Sequence, residues 1–157
     1  MKLIKARVQN FRSVEDSGEF EVNNMTCLVG KNEAGKTAIL QALQGLRPYG
    51  TAQTEFNVTK EYPRRFVTRF EQRHDEEPAE AVRTWWQLED NELNLLREKF
   101  GDEAVTGSEL QVVKNFKATG TVWTPPVSHQ KAVFHLMDKA GMTQEDVDRI
   151  SALIRQV

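Results

Sequence analysis

A chain of 157 residues with 39% apolar and 28% charged side chains is long enough for one domain with a real core and short for two. Its net charge of -2 supplies no overall basic field, so any nucleic-acid contact has to come from a local patch. The single cysteine, Cys27, excludes an internal disulfide and fits a reducing, cytoplasmic setting, and neither a signal-peptide core nor an apolar run near the roughly 18 residues of a membrane span is present.

The first predicted element is a strand over "KLIKARVQNF" (2–11), where β-branched and basic residues partly alternate. A second short strand is expected at "EFEVNN" (19–24), with Asn23-Asn24 as a turn signal. The continuous apolar run "MTCLV" (25–29) suits a third strand covered on both faces, with Cys27 packed inside it. A helix follows over "KTAILQALQGLR", with Ile39, Leu40, Leu43 and Leu46 at helical spacing, weakened at Gly45 and stopped by "RPYG". Pro63 can open a helix through "RRFVTRFEQRH" with Phe66, Val67 and Phe70 on one face, before an exposed acidic loop, "DEEP" (75–78). "AVRTWWQL" (81–88) reads as a strand and "EDNELNLLREKFG" (89–101) as a helix with Leu93, Leu96 and Phe100 inward and Gly101 as its stop. "ELQVVKNF" (109–116) and "TGTVWT" (119–124) form a hairpin over "KATG". Pro125-Pro126 marks a break before two helices, "HQKAVFHLMDKAG" and "TQEDVDRISALIRQV". Thr143 with Asp146 makes a cap-like start for the second, and Val147, Ile150, Leu153 and Ile154 form its stripe.

The segment "GKNEAGKT" (30–37) satisfies G-x-x-x-x-G-K-[ST] with full spacing, a Walker A motif. Backbone N–H groups converge on a phosphate only where side chains are absent or turned away, hence glycines at both bends. The helix starting near Gly35 aims free amides and partial positive charge at the same anion. Lys36 adds a point charge, and the Thr37 hydroxyl is suited to Mg2+.

With two strand-like segments before this motif, "NFRS" (10–13) ending the first, and "NEAGKT" within it, residues 1–46 resemble the ABC-type ATPase heads of the SMC, RecF and OLD (overcoming lysogenization defect) group. "EYPRRF" (61–66), the "WWQLEDNEL" step and "LQVVKNF" also look like OLD-type and related AAA-labelled ATPases. The resemblance implies an α/β P-loop NTPase fold: the N-terminal lobe of an ABC-type head (1–126) with an antiparallel β subdomain, then a helical segment (127–157). It further implies ATP and Mg2+ as cofactors, with Gly30, Lys31, Asn32, Glu33, Ala34, Gly35, Lys36, Thr37 and Ala38 carrying the nucleotide and Thr37 the metal. Arg12 would lie near the phosphate or ribose end, or be a surface arginine at a strand end. Gln87 would be a glutamine reaching Mg2+ or water, or a packing residue beside two tryptophans. The implied partners are a second ATPase head or the remainder of a longer chain, DNA, and a nuclease domain or subunit, with phage defence a common setting.

Hydrolysis in such heads requires an apolar strand ending in Asp-Glu and a signature loop. "WWQLED" reverses the order, "AVFHLMDK" (132–139) has a lysine where the base belongs, and "VTGSE" (105–109) matches the signature loop poorly. The expectation is therefore a lobe that does not turn over ATP alone and whose central strand lacks a parallel neighbour. A non-hydrolysing, nucleotide-dependent interaction module and a P-loop kinase are the other readings, the kinase disfavoured by the strands that precede the motif.

Arg65, Arg69 and Arg73 are four apart, so on an α-helix they share a face, either as a backbone or partner contact or as a solvated surface balanced by nearby acids. Trp85, Trp86 and Trp123 suit sheet packing or stacking on a base. His74, His129 and His135 show no metal-ligand spacing.

Overall fold

The computed structural model describes residues 1–31, 35–46, 55–142 and 146. The described part falls into two compact units, one of Lys2–Gln87 with Leu110–Thr124, the other of Met1, Leu88–Glu109 and Pro125–Val157.

The first unit is built on a six-stranded sheet of β1 (Lys2–Phe11), β2 (Val14–Asp16), β3 (Phe20–Glu21), β4 (Glu80–Gln87), β5 (Glu109–Asn115) and β6 (Val122–Thr124). Strand order is β2-β1-β4-β5-β6, with β3 also on β1. β1 pairs antiparallel with β2, β3 and β4, and β5 with β6. Leu88 N bonds Ser108 O and Phe116 N bonds Ala79 O, so β4 and β5 run antiparallel as well. Period-2 alternation explains which side chains turn inward. Ala6 and Val8 are buried on β1, and Leu110, Val112 and Lys114 on β5. Arg7 on β1 holds Asp16 on β2 through two hydrogen bonds of 3.0 and 2.6 Å. That pairing keeps the Asp16 carboxyl below its usual range.

α1 (Lys36–Gln44) lies on an aromatic core of Phe11, Phe56, Tyr62, Phe70 and Phe116. Its buried residues are Ala38 and Ala42, while Ile39, Leu43 and Leu46 pack beside them. Leu40, expected in the apolar stripe, is 59% exposed. Small residues carry the contact because they let the helix axis approach the rings, and the larger side chains flank it. Phe56 sits between Phe11 and Phe116 at centroid distances of 5.1 and 5.7 Å. α2 (Val58–Glu61) is capped by Asn57, whose side chain accepts from Lys60 N.

The structure corrects three expectations. Residues 25–29 form no strand, and Met25 and Val29 are 91% and 89% exposed. Cys27 is exposed too. An apolar run becomes a buried strand only if neighbours pair with it, and among the described residues none does. The helix expected after Pro63 is a 3-10 segment, Arg64–Arg69, followed by α3 (Phe70–Arg73). At three residues per turn, positions four apart diverge, so Arg65 and Arg69 do not share one face. Arg65 and Arg73 instead stack on Phe66, at 4.6 and 4.0 Å from its ring centre, and Arg65 also pairs with Glu15. Trp85 is buried in the sheet, whereas Trp123 on β6 is 55% exposed.

The second unit contains α4 (Asp90–Phe100), a 3-10 turn at Asp102–Ala104, and α5 (His129–Lys139). Leu93, Ala104, Ala132 and Met137 are its buried apolar residues beside Leu88. Val105 bridges Val127. A cavity of about 390 Å3 lies among Phe100, Asp102, Glu103, Lys131, Phe134 and His135. The stop at "RPYG" and the helix expected from Thr143, including its stripe, lie outside the described residues. Among the described residues no helix is long and apolar enough to cross a membrane.

Candidate phosphate-binding site

Gly35 caps the start of α1 in the left-handed conformation, φ +82° and ψ 11°. A Cβ there would lie 2.6 Å from Val14 Cγ2 and 3.2 Å from Ser13 Oγ. Glycine is thus required by both backbone angle and space. Gly35 thus rests against Ser13 and Val14, where β1 turns into β2.

The first bond inside α1 runs from Ile39 N to Gly35 O, which leaves the amides of Lys36, Thr37 and Ala38 without an intrahelical acceptor. Among the described residues no side chain caps this end, and its first turn carries no acid. Lys36 Nζ folds back and donates to Gly30 O and Lys31 O, each at 2.6 Å. Thr37 is exposed and Lys36 half-buried. Ala38 turns its side chain into the core, so only its amide is available. Amides without an intrahelical acceptor, an ammonium and an exposed hydroxyl, with no carboxylate in the first turn of α1, suit a phosphate and a hydrated divalent cation. Asn32, Glu33 and Ala34 lie outside the described residues.

Arg12 sits in the β1–β2 turn at φ +54°. Its Nη1 donates to Gln41 Oε1 at 2.5 Å and its backbone N to Glu61 O at 2.5 Å. Gln41 is four residues beyond Thr37 and so on the same face of α1. The Arg12 guanidinium therefore stands one helical turn above the Thr37 hydroxyl. A cavity of about 290 Å3 opens beside it, lined by Gln41, Gln44, Gly45, Glu55, Phe56 and Glu61.

Gln87 is not brought to this group. It pairs with Lys2, the first residue of β1, whereas Gly35 lies against Ser13 and Val14, just past Phe11, the last. A ten-residue strand separates those ends by roughly 30 Å. Glu89 and Asp90 come after Leu88, and at the start of α4 the Glu92 carboxylate accepts from Glu89 N at 3.0 Å.

Sequence reasoning passed over Lys114. It is 1% exposed on β5, and its ammonium donates to Gly45 O at 2.7 Å, at the carbonyl end of α1. The signal was present in "ELQVVKNF", where a lysine occupies a period-2 position with Leu110, Val112 and Phe116.

Residues 1–118 match the AAA ATPase domain family. The chain belongs to that family, whose members are nucleotide-binding ATPases, typically with Mg2+. No curated protein matches this sequence.

Proposed function

We propose that this chain is the ATP-binding lobe of an OLD/RecF/SMC-like ATPase, in which nucleotide controls association with a second head or with complementary chain. The observation that carries this reading is the amide end of α1, where left-handed Gly35 opens the helix with its first N–H groups lacking an intrahelical acceptor beside the ammonium of Lys36. In this reading Lys36 neutralises the terminal phosphates, the amides of Lys36 to Ala38 hold their oxygens, and the Thr37 hydroxyl holds Mg2+. The metal would supply charge neutralisation at the phosphates. Arg12 orients the ligand along the Gln41 face. Action on DNA, a nuclease partner and a role in phage defence follow from the resemblance alone.

A second reading, a non-hydrolysing module that uses nucleotide only to govern assembly, is favoured by the position of Gln87, paired with Lys2 at the far end of β1 from the Gly35 turn.

Binding of a fluorescent ATP analogue with Mg2+, followed with phosphate release, tests both. The wild-type chain is expected to bind weakly and release no phosphate. Lys36→Ala is expected to lower affinity about ten- to a hundred-fold, from a charged hydrogen bond of roughly 1.5–3 kcal/mol. Equal binding by the two chains would refute the site. Steady-state phosphate release that vanishes in Lys36→Ala would refute the absence of turnover. Turnover regained when the complementary segment is added separates the first reading from the second.

A further inference from the structure

The carbonyl end of α1 is held as tightly as its amide end is open. Lys114 projects from β5 into the core and is 1% exposed, a costly place for an ammonium unless it is paired. Its Nζ lies 2.7 Å from Gly45 O and 4.8 Å from the centre of the Phe56 ring. A Cβ on Gly45 would come within 2.4–2.5 Å of that same ring. Gly45, Phe56 and Lys114 thus interlock. The last carbonyls of a helix carry partial negative charge, so a cation is suited to this end as an anion is to the other. Burial pushes the Lys114 ammonium below its ordinary pKa, while Glu61 pulls it back up.

We infer that Lys114 is a positioning residue for the phosphate loop, fastening the carbonyl end of α1 to β5 so that the Gly35 end keeps its aim. The inference rests on the nucleotide-binding reading for its consequence and on the Lys114–Gly45 contact for its mechanism. α1 has nine residues, about 13 Å of stiff rod, so a tilt at one end is felt at the other. Lys114→Met keeps the side-chain bulk and leaves the Gly45 carbonyl without its donor.

The test compares amide hydrogen exchange and ATP-analogue affinity in the full chain for wild type, Lys114→Met and Lys114→Gln. The control is Thr84→Val, which removes a buried hydroxyl bonded to Val112 O and weakens the sheet elsewhere. Exchange across residues 36–46 is expected to quicken about tenfold or more in Lys114→Met. β1 and β4 should stay protected, and affinity should fall several-fold. Lys114→Gln, which keeps a donor, should fall between, and Thr84→Val should not open α1 selectively. If Lys114→Met does not fold, Lys114→Gln carries the same comparison. Exchange of α1 within twofold of wild type in the folded variant, or equal opening of α1 by Thr84→Val, would overturn the inference. A wild-type chain that binds no nucleotide would refute the functional reading and leave the exchange result to decide Lys114.

Discussion

At Gly35 a backbone angle and a contact meet in one residue. An alanine there has to hold φ near +82° and put its methyl 2.6 Å from Val14 Cγ2. The first costs about 1–2 kcal/mol, and the second moves a buried valine at the turn that supports the loop. Gly35→Ala is therefore expected to lower the unfolding free energy by about 2 kcal/mol or more, read as a shift in urea midpoint, and to abolish nucleotide binding. His74 offers a separate test. Its Nε2 lies 2.9 Å from the hydroxyl of buried Tyr62, and burial, then the Arg73 charge, holds its pKa below 6.5. A group with a depressed folded pKa binds its proton more readily in the unfolded chain. Its contribution is thus complete above pH 6.5 and is lost as pH falls through the folded value. Urea midpoints between neutral pH and about pH 5 should fall less steeply for His74→Gln than for wild type, and parallel slopes would refute the assignment. Both glycines of the loop were legible in the sequence because their spacing is a motif. Lys114 was not, because its charge argued for the surface and only strand alternation argued for the core.

Among the elements, β1, β4, α4, the β5–β6 hairpin and α5 follow the expected spans closely, since each is long or strongly patterned and ends at a glycine, proline or turn. α1 also forms where expected, but its buried face is set by Ala38 and Ala42. Spacing alone gives leucine priority in choosing a helix face; an aromatic floor reverses that order by rewarding close approach. Leu40→Lys should accordingly change stability by less than about 0.5 kcal/mol, whereas Ala42→Leu should cost about 1–3 kcal/mol by overpacking. Thermal melts of the two variants decide this, and a large loss from Leu40→Lys would contradict the packing. The run 25–29 was misread for a different reason. Hydropathy reports that a segment seeks cover, but says nothing of whether a neighbouring strand provides it. The arginines of 64–73 were misplaced because a proline-led 3-10 turn and an α-helix look alike in composition.

On the scale of the molecule, the family match covers residues 1–118, and the sheet of the first unit, from β1 to β5, falls within that span. The antiparallel character of the β subdomain was expected. What surprises is that the segment entering the phosphate loop, Met25 to Gly30, lies outside the sheet. The order of strands could not be read from the sequence, since β4 reaches its place beside β1 across the 68 residues between Phe11 and Glu80.

The bonds of Lys36 to Gly30 O and Lys31 O alter what admission to the site means. The cation is already lodged between two oxygens, so an arriving anion has to win it from them rather than meet it bare. The favourable change is the difference between two hosts, and it grows with the charge of the newcomer. A fully ionised polyphosphate tail can capture the lysine, whereas a singly charged oxyanion has little advantage over the carbonyls. In the proposed nucleotide-binding role, discrimination by charge thereby follows from the resting posture of one side chain.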